Sequence, residues 1–521
     1  MPIYIAPGIY NRILDASLYI PQLSSSILGI VGTFKKGKVN YGINDSDTPT
    51  ELKVMDATPT LITSQNQFIE VFGEPLRGSD GWAAHAALYF LRFGNQLRVA
   101  RATDLSARKS KSTTIVGSDS IAANLGVIRA INEGIWANGL QVVISTDTIA
   151  DEDGNITTVY RVQVFDIGAD VASDSPLETY DSIDFETLTE ERYVEKIINE
   201  QSNYIDFDFT TVGPPTEGTY ILASGVDGYE SMTSTIIRNA ADIFVDPTTV
   251  DINLLSAPGW NHDINVALKL QTICKTRGDV MAVLDTPDVD TAQEMVDFVR
   301  GIGVYSTVIP STWETCIYGP WIQILDEYND EKQWVPPSVR VLGAFAYNDS
   351  VEFPWFAVAG SDRGVLLDTL DVRFNLTRGD IEAIYGSQNH INPIRKTVDG
   401  IIIDGNKTLY RKPSLLNNIH VVRMVLYAQK TMATATRYLQ WQPHDDKTWR
   451  QYKAIVNPAL RYIAQNRGLD DFYVKCDAET NTAYFLDNNQ MMAELHLVPT
   501  ATVEKLVNDY IIHSHGVELR K

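Results

Sequence analysis

The stretch Ser26-Ile27-Leu28-Gly29-Ile30-Val31-Gly32 is a short apolar run that ends in glycine. A run of this kind is typical of a buried β-strand. Farther along the chain, Gln96–Ala102 alternates apolar and polar residues, which predicts a half-buried strand. We expect the two strands to belong to one β-α-α-β unit, with two helices in the segment between them.

Two helices are predicted between these strands from their start and stop signals. Ser64 and Gln67 form the S-x-x-Q pattern of a capping box, and the helix that follows should stop at Gly73. Asp80 can cap a second helix, Gly81–Phe93, which carries an apolar stripe.

The first 21 residues predict an extended arm. Pro2, Pro7 and Pro21 forbid a continuous helix, and the β-prone residues between them have no partner strand nearby. Such an arm must dock on another element or on another molecule. Its β-prone residues are Ile3, Tyr4, Ile5, Ile9 and Tyr10.

The rest of the chain predicts three further regions. Residues 104–245 consist of short β-prone runs broken by Gly, Asp and Asn, which indicates a mainly β insertion. In residues 246–399 helical and strand patterns alternate, which favours an α/β domain; Val280–Leu284 and Tyr305–Ile309 are its predicted strands. Residues 400–521 predict helices followed by a strand pair.

The strand pair near the end of the chain follows two helices. Ser414 is the predicted cap of the first helix, and Pro458 should kink or split the second, Thr448–Asn466. Phe472–Cys476 and Met492–Val498 are the predicted strands. The expected fold class is therefore α/β and α+β, multidomain, because 521 residues exceed what one hydrophobic core usually serves.

Composition and charge argue against some classes of partner. The net charge of −23 opposes binding to phosphate backbones, so we expect no direct nucleic-acid partner. The charge is uneven: residues 141–250 contain 22 acidic and 4 basic residues, a net of −18, whereas residues 404–470 contain 4 and 11, a net of +7. No long apolar span or secretory signal is seen, so we expect a cytosolic protein without direct membrane binding.

Motifs of enzyme chemistry are incomplete. Gly32–Val39 nearly matches the phosphate-binding P-loop, but Val39 lacks the hydroxyl that holds Mg²⁺ and the next residues cannot begin a helix. Asp151–Asn155 departs from the Ca²⁺-loop pattern and predicts a hairpin turn. His513 and His515 lack a third metal ligand nearby, and Cys274, Cys316 and Cys476 form no metal or disulfide pattern.

We therefore expect no catalytic residue, no metal and no cofactor, and a protein that is not an enzyme. The alternative is a cytosolic α/β enzyme or nucleotide-binding protein with a β accessory domain, which only the near-match at Gly32 favours. A receptor-binding or glycan-binding protein is a third possibility, and it predicts a closed trimer or ring.

The order of several segments resembles the sheath proteins of contractile phage tails, of the myovirus type and of phage-derived contractile particles. Each segment is weakly specific alone, and together they cover about 70% of the chain. Residues 104–245 match none of the family's segments. The segments that carry the resemblance are Pro7–Tyr10, Ile27–Gly32, Phe68–Gly73, Arg98–Arg101, Val335–Ser338, Pro354–Gly360, His390–Ile394, Trp449–Gly468, Val474–Asp477 and Leu497–Pro499.

The resemblance implies a structural subunit that polymerises helically, in stacked rings, around a tail tube and contracts to drive the tube through the host envelope during genome delivery. Its implied partners are other copies of the chain, the tail tube protein, and baseplate and tail terminator proteins. It is expected in the tail of the virion, after assembly in the host cytoplasm. A core domain would combine residues 22–103 with 400–521, with a C-terminal arm from about 499, while residues 104–245 would lie outward.

The family's extended arms add strands to a neighbour's sheet, and the arm at residues 1–21 fits that role. The predicted receiver is the strand pair at 472–498, joined by a C-terminal segment of another subunit. The basic helix that Ser414 caps is the candidate surface toward the tube. The residues assigned to strand exchange are Ile3, Tyr4, Ile5, Ile9, Tyr10, Phe472, Val474, Leu495, Leu497, Tyr510, Ile511 and Ile512, and those assigned to the tube-facing surface are Arg423, Lys430 and Arg437.

Overall fold

A computed structural model describes residues 26–42, 52–118, 124–150, 156–386 and 388–504. The chain divides into two compact units. The first is Ser24–Leu426, and the second contains Tyr427–Lys521. The predicted α/β and α+β multidomain class is confirmed, because helices and several separate sheets alternate along the described chain.

Strands account for the larger number of elements. In chain order they are β1 (Ile27–Gly32), β2 (Val39–Gly42), β3 (Lys53–Val54), β4 (Thr60–Ile62), β5 (Gln96–Ala102), β6 (Lys109–Lys111), β7 (Ile115–Val116), β8 (Asn124–Glu133), β9 (Gln141–Ala150), β10 (Ile156–Phe165), β11 (Glu178–Ile183), β12 (Ile205–Phe209), β13 (Gly218–Ile221), β14 (Leu254–Ser256), β15 (Met281–Asp285), β16 (Thr315–Gly319), β17 (Ile322–Asp326), β18 (Glu331–Val335), β19 (Thr369–Val372), β20 (Ile391–Thr397), β21 (Gly400–Ile403), β22 (Leu469–Lys475) and β23 (Glu494–Pro499).

Helices occur in both units. They are α1 (Gln65–Phe72), α2 (Trp82–Leu91), α3 (Val194–Gln201), α4 (Ser234–Ala241), α5 (Ile264–Arg277), α6 (Ala292–Arg300), α7 (Ser338–Val351), α8 (Gly360–Arg363), α9 (Arg378–Tyr385), α10 (Ile419–Thr436), α11 (Asp446–Gln465) and α12 (Ala483–Asp487).

The first unit is built on a ten-stranded sheet in which β1 is central. The order is β21-β20-β16-β15-β14-β1-β5-β2-β3, and β4 pairs with β5. The pairs from β2 to β20 are parallel, and all six residues of β1 are buried, as the apolar run predicts. Leu28 and Ile30 pack in the core that contains α2 and α7, whereas Val31 packs in the core that contains α4 and α5. Parallel sheets need such cover on both faces.

The two helices predicted between β1 and β5 are present, but only one of their caps is correct. The Ser64 hydroxyl accepts a hydrogen bond from the Gln67 amide at 3.2 Å, which is half of the predicted capping box, while Gln67 Oε1 accepts from the Thr63 amide at 2.8 Å. Asp80 does not cap α2, which begins at Trp82 without a side-chain cap. Asp80 lies inside a 3₁₀ turn, and its backbone carbonyl accepts a hydrogen bond from the Thr33 hydroxyl. Gly81 ends this turn so close to the Leu76 carbonyl that a Cβ would lie 1.8 Å from its oxygen.

Residues 104–245 are mainly β, as predicted. Two four-stranded sheets, β11-β10-β9-β13 and β12-β8-β6 with β7, enclose a separate hydrophobic core that includes Ile128, Val162 and Phe185. The predicted hairpin at Asp151–Asn155 is supported by the antiparallel pairing of β9 with β10, although the turn itself lies outside the described residues.

The central sheet takes strands from each of the other predicted regions. β1 and β5 come from residues 22–103, β14 to β16 come from residues 246–399, and β21 begins at Gly400. Strands on both sides of the predicted boundaries at residues 246 and 400 therefore belong to one sheet. The predicted discontinuous core domain stays a prediction. Val280–Leu284 is confirmed as β15, but the predicted strand at Tyr305–Ile309 is wrong. That segment is a loop over α6, in which the Ile309 amide donates to the Val299 carbonyl at 3.1 Å.

The end of the chain contains two long helices and a strand pair. Ser414 caps a short 3₁₀ turn, and α10 begins later than predicted, at Ile419. α11 continues through Pro458 without being split, and Asp445 caps its start by accepting from the Thr448 amide at 2.9 Å. The predicted strand pair is confirmed as β22 and β23, which pair antiparallel.

A buried carboxylate joins the end of β15 to the start of α7. Oδ1 of Asp285 accepts from the Ser338 amide at 2.6 Å, and Oδ2 accepts from the Ser338 hydroxyl at 2.6 Å and from Asn261 Nδ2 at 2.9 Å. Burial outweighs these three donors and raises the pKa of Asp285 to about 6.

The raised pKa predicts a pH dependence of stability for the first unit. Between an unfolded pKa near 3.8 and a folded pKa of about 6, the folded state binds more protons at Asp285. The contribution of this group to the free energy of unfolding is therefore fully present below about pH 4 and falls by roughly 3 kcal/mol as the pH rises through 6. Asp285→Asn should not show that loss.

Thermal unfolding of both chains from pH 4 to 7.5 measures the difference between them. The advantage of the unsubstituted chain over Asp285→Asn should shrink as the pH rises. Parallel stability curves for the two chains would contradict a raised pKa at this position.

Candidate assembly site

The strand pair of the second unit is the predicted receiver for a neighbour's strand. β22 and β23 pair with Phe472 opposite Leu497 and Val474 opposite Leu495. The four residues assigned to strand exchange in this part of the chain therefore lie on one face of one hairpin.

That face is turned toward the unit's own helix. β22 packs against α11, Val474 is buried, and Phe472, Leu495 and Leu497 are half-buried. The opposite face is open: Tyr473 is 60% exposed, and its ring stacks on His496 with ring centroids 6.0 Å apart. The apolar residues of the hairpin hold it on α11, so what the hairpin offers a partner is its main chain and its open face.

Both strands of the hairpin have a free edge among the described residues. The sheet there contains only β22 and β23, so each strand is hydrogen-bonded on one side. An edge strand presents a row of N–H and C=O groups that can pair with another chain. Two-stranded sheets are also marginally stable alone, and further strands stabilise them.

Asn481 fixes the connection between the two strands. Its side chain is 2% exposed, with Oδ1 accepting from the Met492 amide at 2.7 Å and Nδ2 donating to the carbonyls of Met492 and Asp477, each at 3.0 Å. These bonds hold the segment that leads into β23. Sequence reasoning missed Asn481, because a single asparagine in a polar loop carries no distinguishing signal.

The other residues assigned to strand exchange lie outside the described residues. They are Ile3, Tyr4, Ile5, Ile9, Tyr10, Tyr510, Ile511 and Ile512.

Arg423 does not have the exposure that a tube-facing role requires. Its side chain is 4% exposed, and its guanidinium forms a bidentate ion pair with Asp349, with Nη1 2.9 Å from Oδ1. Asp349 also accepts from the hydroxyl of Ser26, and the guanidinium lies 4.8 Å from the centre of the Phe345 ring. Arg423 therefore joins α10 to α7 and to the start of β1. Sequence reasoning missed this partner because Asp349 is 74 residues away.

The other two candidate tube-facing residues are more accessible. Lys430 is half-buried in α10, and Arg437 is exposed in the 3₁₀ turn that follows. Basic side chains thus reach the surface of the second unit at the end of α10.

The near-match to a P-loop does not form a phosphate site. Residues 39–42 form β2, so the loop leads into a strand and not into the helix whose N-terminus would face phosphates. Lys38, in the place of the phosphate-binding lysine, forms an ion pair with Asp56. The alternative of a nucleotide-binding protein has no support in this loop.

Within the residues that the structure describes, no group of three or more His, Cys, Asp or Glu side chains could hold a metal ion. The three cysteines are buried, and burial raises the pKa of Cys316 to about 12, so this thiol does not ionise near neutral pH. Among the described helices, none has the length and apolar character needed to cross a lipid bilayer.

The chain is similar in sequence to tail sheath proteins, as its segment order predicts. The tail sheath protein of Vibrio phage KVP40 is 24% identical over 352 residues, which cover 61% of this chain and 52% of the phage protein. The chain spans about half the length of the curated relatives it matches. No family model matches the sequence.

Solved structures of sheath proteins share the fold. A sheath tail protein from Desulfitobacterium hafniense has a TM-score of 0.57 at 11% identity, covering 91% of this chain and 94% of that one. The sheath of an extracellular contractile injection system, the PVC sheath complex in its contracted state, has a TM-score of 0.54 at 15% identity and covers 98% of each chain. The resemblance to sheath proteins is thus confirmed in sequence and in fold.

The buried ion pair predicts a large loss of stability when one partner is removed. Arg423→Met leaves Asp349 buried without its cation, and we expect the free energy of unfolding of the first unit to fall by about 3–5 kcal/mol. Arg437→Met removes an exposed charge and should change the same quantity by less than about 0.5 kcal/mol.

Chemical denaturation followed by circular dichroism compares the two variants with the unsubstituted chain. Equal stability of Arg423→Met and Arg437→Met would contradict a structural role for the Arg423–Asp349 pair.

Proposed function

We propose that this chain is the sheath subunit of a contractile tail, which polymerises helically around a tail tube and contracts to drive the tube through the host envelope. The observation that carries the proposal is the likeness of almost the whole chain to a contracted sheath, together with sequence similarity to phage tail sheath proteins. The role is structural, and the chain performs no enzymatic step in it.

Strand addition is the proposed link between subunits. The N-terminal arm of one copy, with Ile3, Ile5 and Ile9, and the C-terminal segment of another, with Tyr510–Ile512, add strands to the β22–β23 hairpin of a third. The hairpin edges that no described strand occupies support this assignment, because main-chain pairing supplies affinity without requiring a pre-formed pocket. Each contact joins different surfaces of two copies, so successive copies build an open helix.

Contraction requires that neighbours stay connected while their other contacts change. Arms held by main-chain hydrogen bonds provide that connection, with hinges at Pro21–Ser25 and after Val498, and the domains between them move as rigid bodies. The chain also contacts baseplate and terminator proteins at the ends of the tail. It assembles in the host cytoplasm and resides in the virion tail.

The tube is contacted by the basic end of α10. Its basic residues are Arg437, which is exposed, and Lys430, which is half-buried; Arg423 is excluded because it is buried in its pair with Asp349. Contacts between exposed charges are weak and screened by salt, which suits a surface that must release during contraction. The acidic segment 141–250 faces outward.

The strand-addition proposal predicts that the arm is needed for polymerisation and not for folding. The full-length chain should form hollow striated tubes in negative-stain electron microscopy over a concentration series, with matching light scattering. Deletion of residues 1–20 should leave a folded monomer, with unchanged circular dichroism, that forms no tubes.

Lys38→Ala serves as the control, because it alters the loop that resembles a P-loop and should leave tube formation unchanged. Normal tubes from the arm deletion would refute strand addition by the arm. A closed trimer or ring from the full-length chain would refute the sheath assignment.

Charge reversal tests the contact with the tube. The double change Lys430→Glu and Arg437→Glu should leave self-assembly intact and reduce, at least about tenfold, the tube protein retained inside the polymer at low salt. The double change Arg450→Glu and Arg461→Glu alters the net charge of the same unit equally and should retain the tube. Equal retention by both variants would contradict the assignment.

A further inference from the structure

A polar cleft lies in the first unit between α2, α7 and the β17–β18 hairpin. Its volume is about 280 Å³, and its walls include Gln65, His85, Tyr89, Arg92, Arg340 and Asp368. Its lining residues belong to the first unit, whereas the β22–β23 hairpin and the basic end of α10 belong to the second.

Arg340 is the unusual residue of this cleft. It is 7% exposed, and its guanidinium lies over the Tyr89 ring, 4.3 Å from the ring centre. Its buried Nε has no hydrogen-bond partner, and among the described residues none accepts a hydrogen bond from its guanidinium. Burial lowers the pKa of Arg340, but an arginine remains charged at any physiological pH.

Other buried arginines of the first unit have their partners in place. Arg101 donates to the carbonyls of Gly37 and Glu133 at 2.7 and 3.0 Å, and Arg423 is paired with Asp349. The buried Nε of Arg340 is costly, because it has lost water without gaining an acceptor. Arg340 thus lacks an acceptor that comparable residues in the same unit possess.

The polar groups next to Arg340 are already engaged. Asp368 forms an ion pair with Arg92, and His85 Nε2 lies 3.3 Å from Asp326, which also accepts from Gln333 at 3.1 Å. Glu327 lines the cleft and attracts Arg340 through space without bonding to it. The cleft therefore has room and a cationic donor, and its own carboxylates do not fill the position beside the guanidinium.

We propose that this cleft receives an aspartate or glutamate side chain from a second copy of the chain when the polymer forms; the inference rests on the proposed function. A carboxylate matches the forked donors of a guanidinium. Each copy carries 66 acidic residues against 43 basic ones, so carboxylates outnumber cations among the side chains that a second copy can offer the cleft. Docking supplies the missing acceptor and makes Arg340 a contact that stabilises the polymer and not the monomer.

A zero-length crosslink tests the contact directly. Arg340→Lys places a primary amine in the cleft, and a carbodiimide joins an amine to a carboxylate only when the two are in contact. Polymers are assembled from an equal mixture of ¹⁵N-labelled and unlabelled Arg340→Lys chains, treated with the carbodiimide, digested and analysed by mass spectrometry. We expect crosslinks from position 340 that join labelled to unlabelled peptides and name the acidic residue.

Crosslinks from position 340 only to Glu327 or Asp368 of the same chain, or none, would overturn this inference and leave the sheath assignment standing. Failure of the unsubstituted chain to polymerise at all would overturn the sheath assignment and this inference with it.

A second variant separates docking from folding. Arg340→Gln should raise the concentration needed for polymerisation at least about tenfold, because the docked carboxylate loses its cation. The melting temperature of the unassembled chain should not fall. Arg363→Gln is the matched control, since Arg363 also lies over an aromatic ring, 5.1 Å from the centre of Phe356, but outside the cleft. Equal polymerisation of the two variants, or loss of monomer stability in Arg340→Gln alone, would overturn the inference.

Discussion

The parallel pairing of β1 with β5 on one side and with β14 on the other is the constraint on which the first unit depends. Ile30 lies opposite Val99 on one side and Ser256 on the other, so the strand has no free edge. Because β5 and β14 are separated by the whole β insertion, this pairing must bring distant parts of the chain together. Residues 104–245 can therefore form their own sheets and core without interrupting the central sheet.

The residue before β1 connects the central sheet to α7 and α10. Ser26, just before β1, donates to Asp349, and Asp349 holds Arg423 of α10. One buried ion pair thus holds both Ser26, which follows the proposed N-terminal hinge, and α10, which leads into the second unit. Breaking this pair is costly, because either partner would then be left as a buried charge without its counterion.

Much of the fold could be predicted because local patterns are strong there. The apolar run of β1, the cap at Ser64 and the strand pair at the end of the chain follow from short-range chemistry. The prediction at Asp80 was wrong because a 3₁₀ turn that ends at Gly81 takes the place of the cap. The Thr33 hydroxyl donates to the Asp80 carbonyl in this turn, and that contact joins segments far apart in sequence. The membership of the central sheet was not predictable from local patterns, since a parallel sheet accepts strands from any distance along the chain.

In the candidate site, too, only the features marked by a local sequence pattern could be predicted. The hairpin was identifiable, because alternating apolar residues mark its inner face, whereas the burial of Arg423 and the lack of an acceptor at Arg340 depend on contacts between segments far apart in sequence. A basic helix in a sequence does not distinguish a charge that faces a partner from one that is paired inside the protein. Only the three-dimensional arrangement separates Arg423 from Arg437.

A helical reconstruction by electron cryomicroscopy of polymers formed by the full-length chain tests the central claim most directly. The account predicts that the β22–β23 hairpin of each subunit is extended by strands that trace to the N-terminal arm and the C-terminal segment of neighbouring subunits. Hairpins whose edges face solvent, or subunits joined solely by side-chain contacts between their compact units, would contradict it.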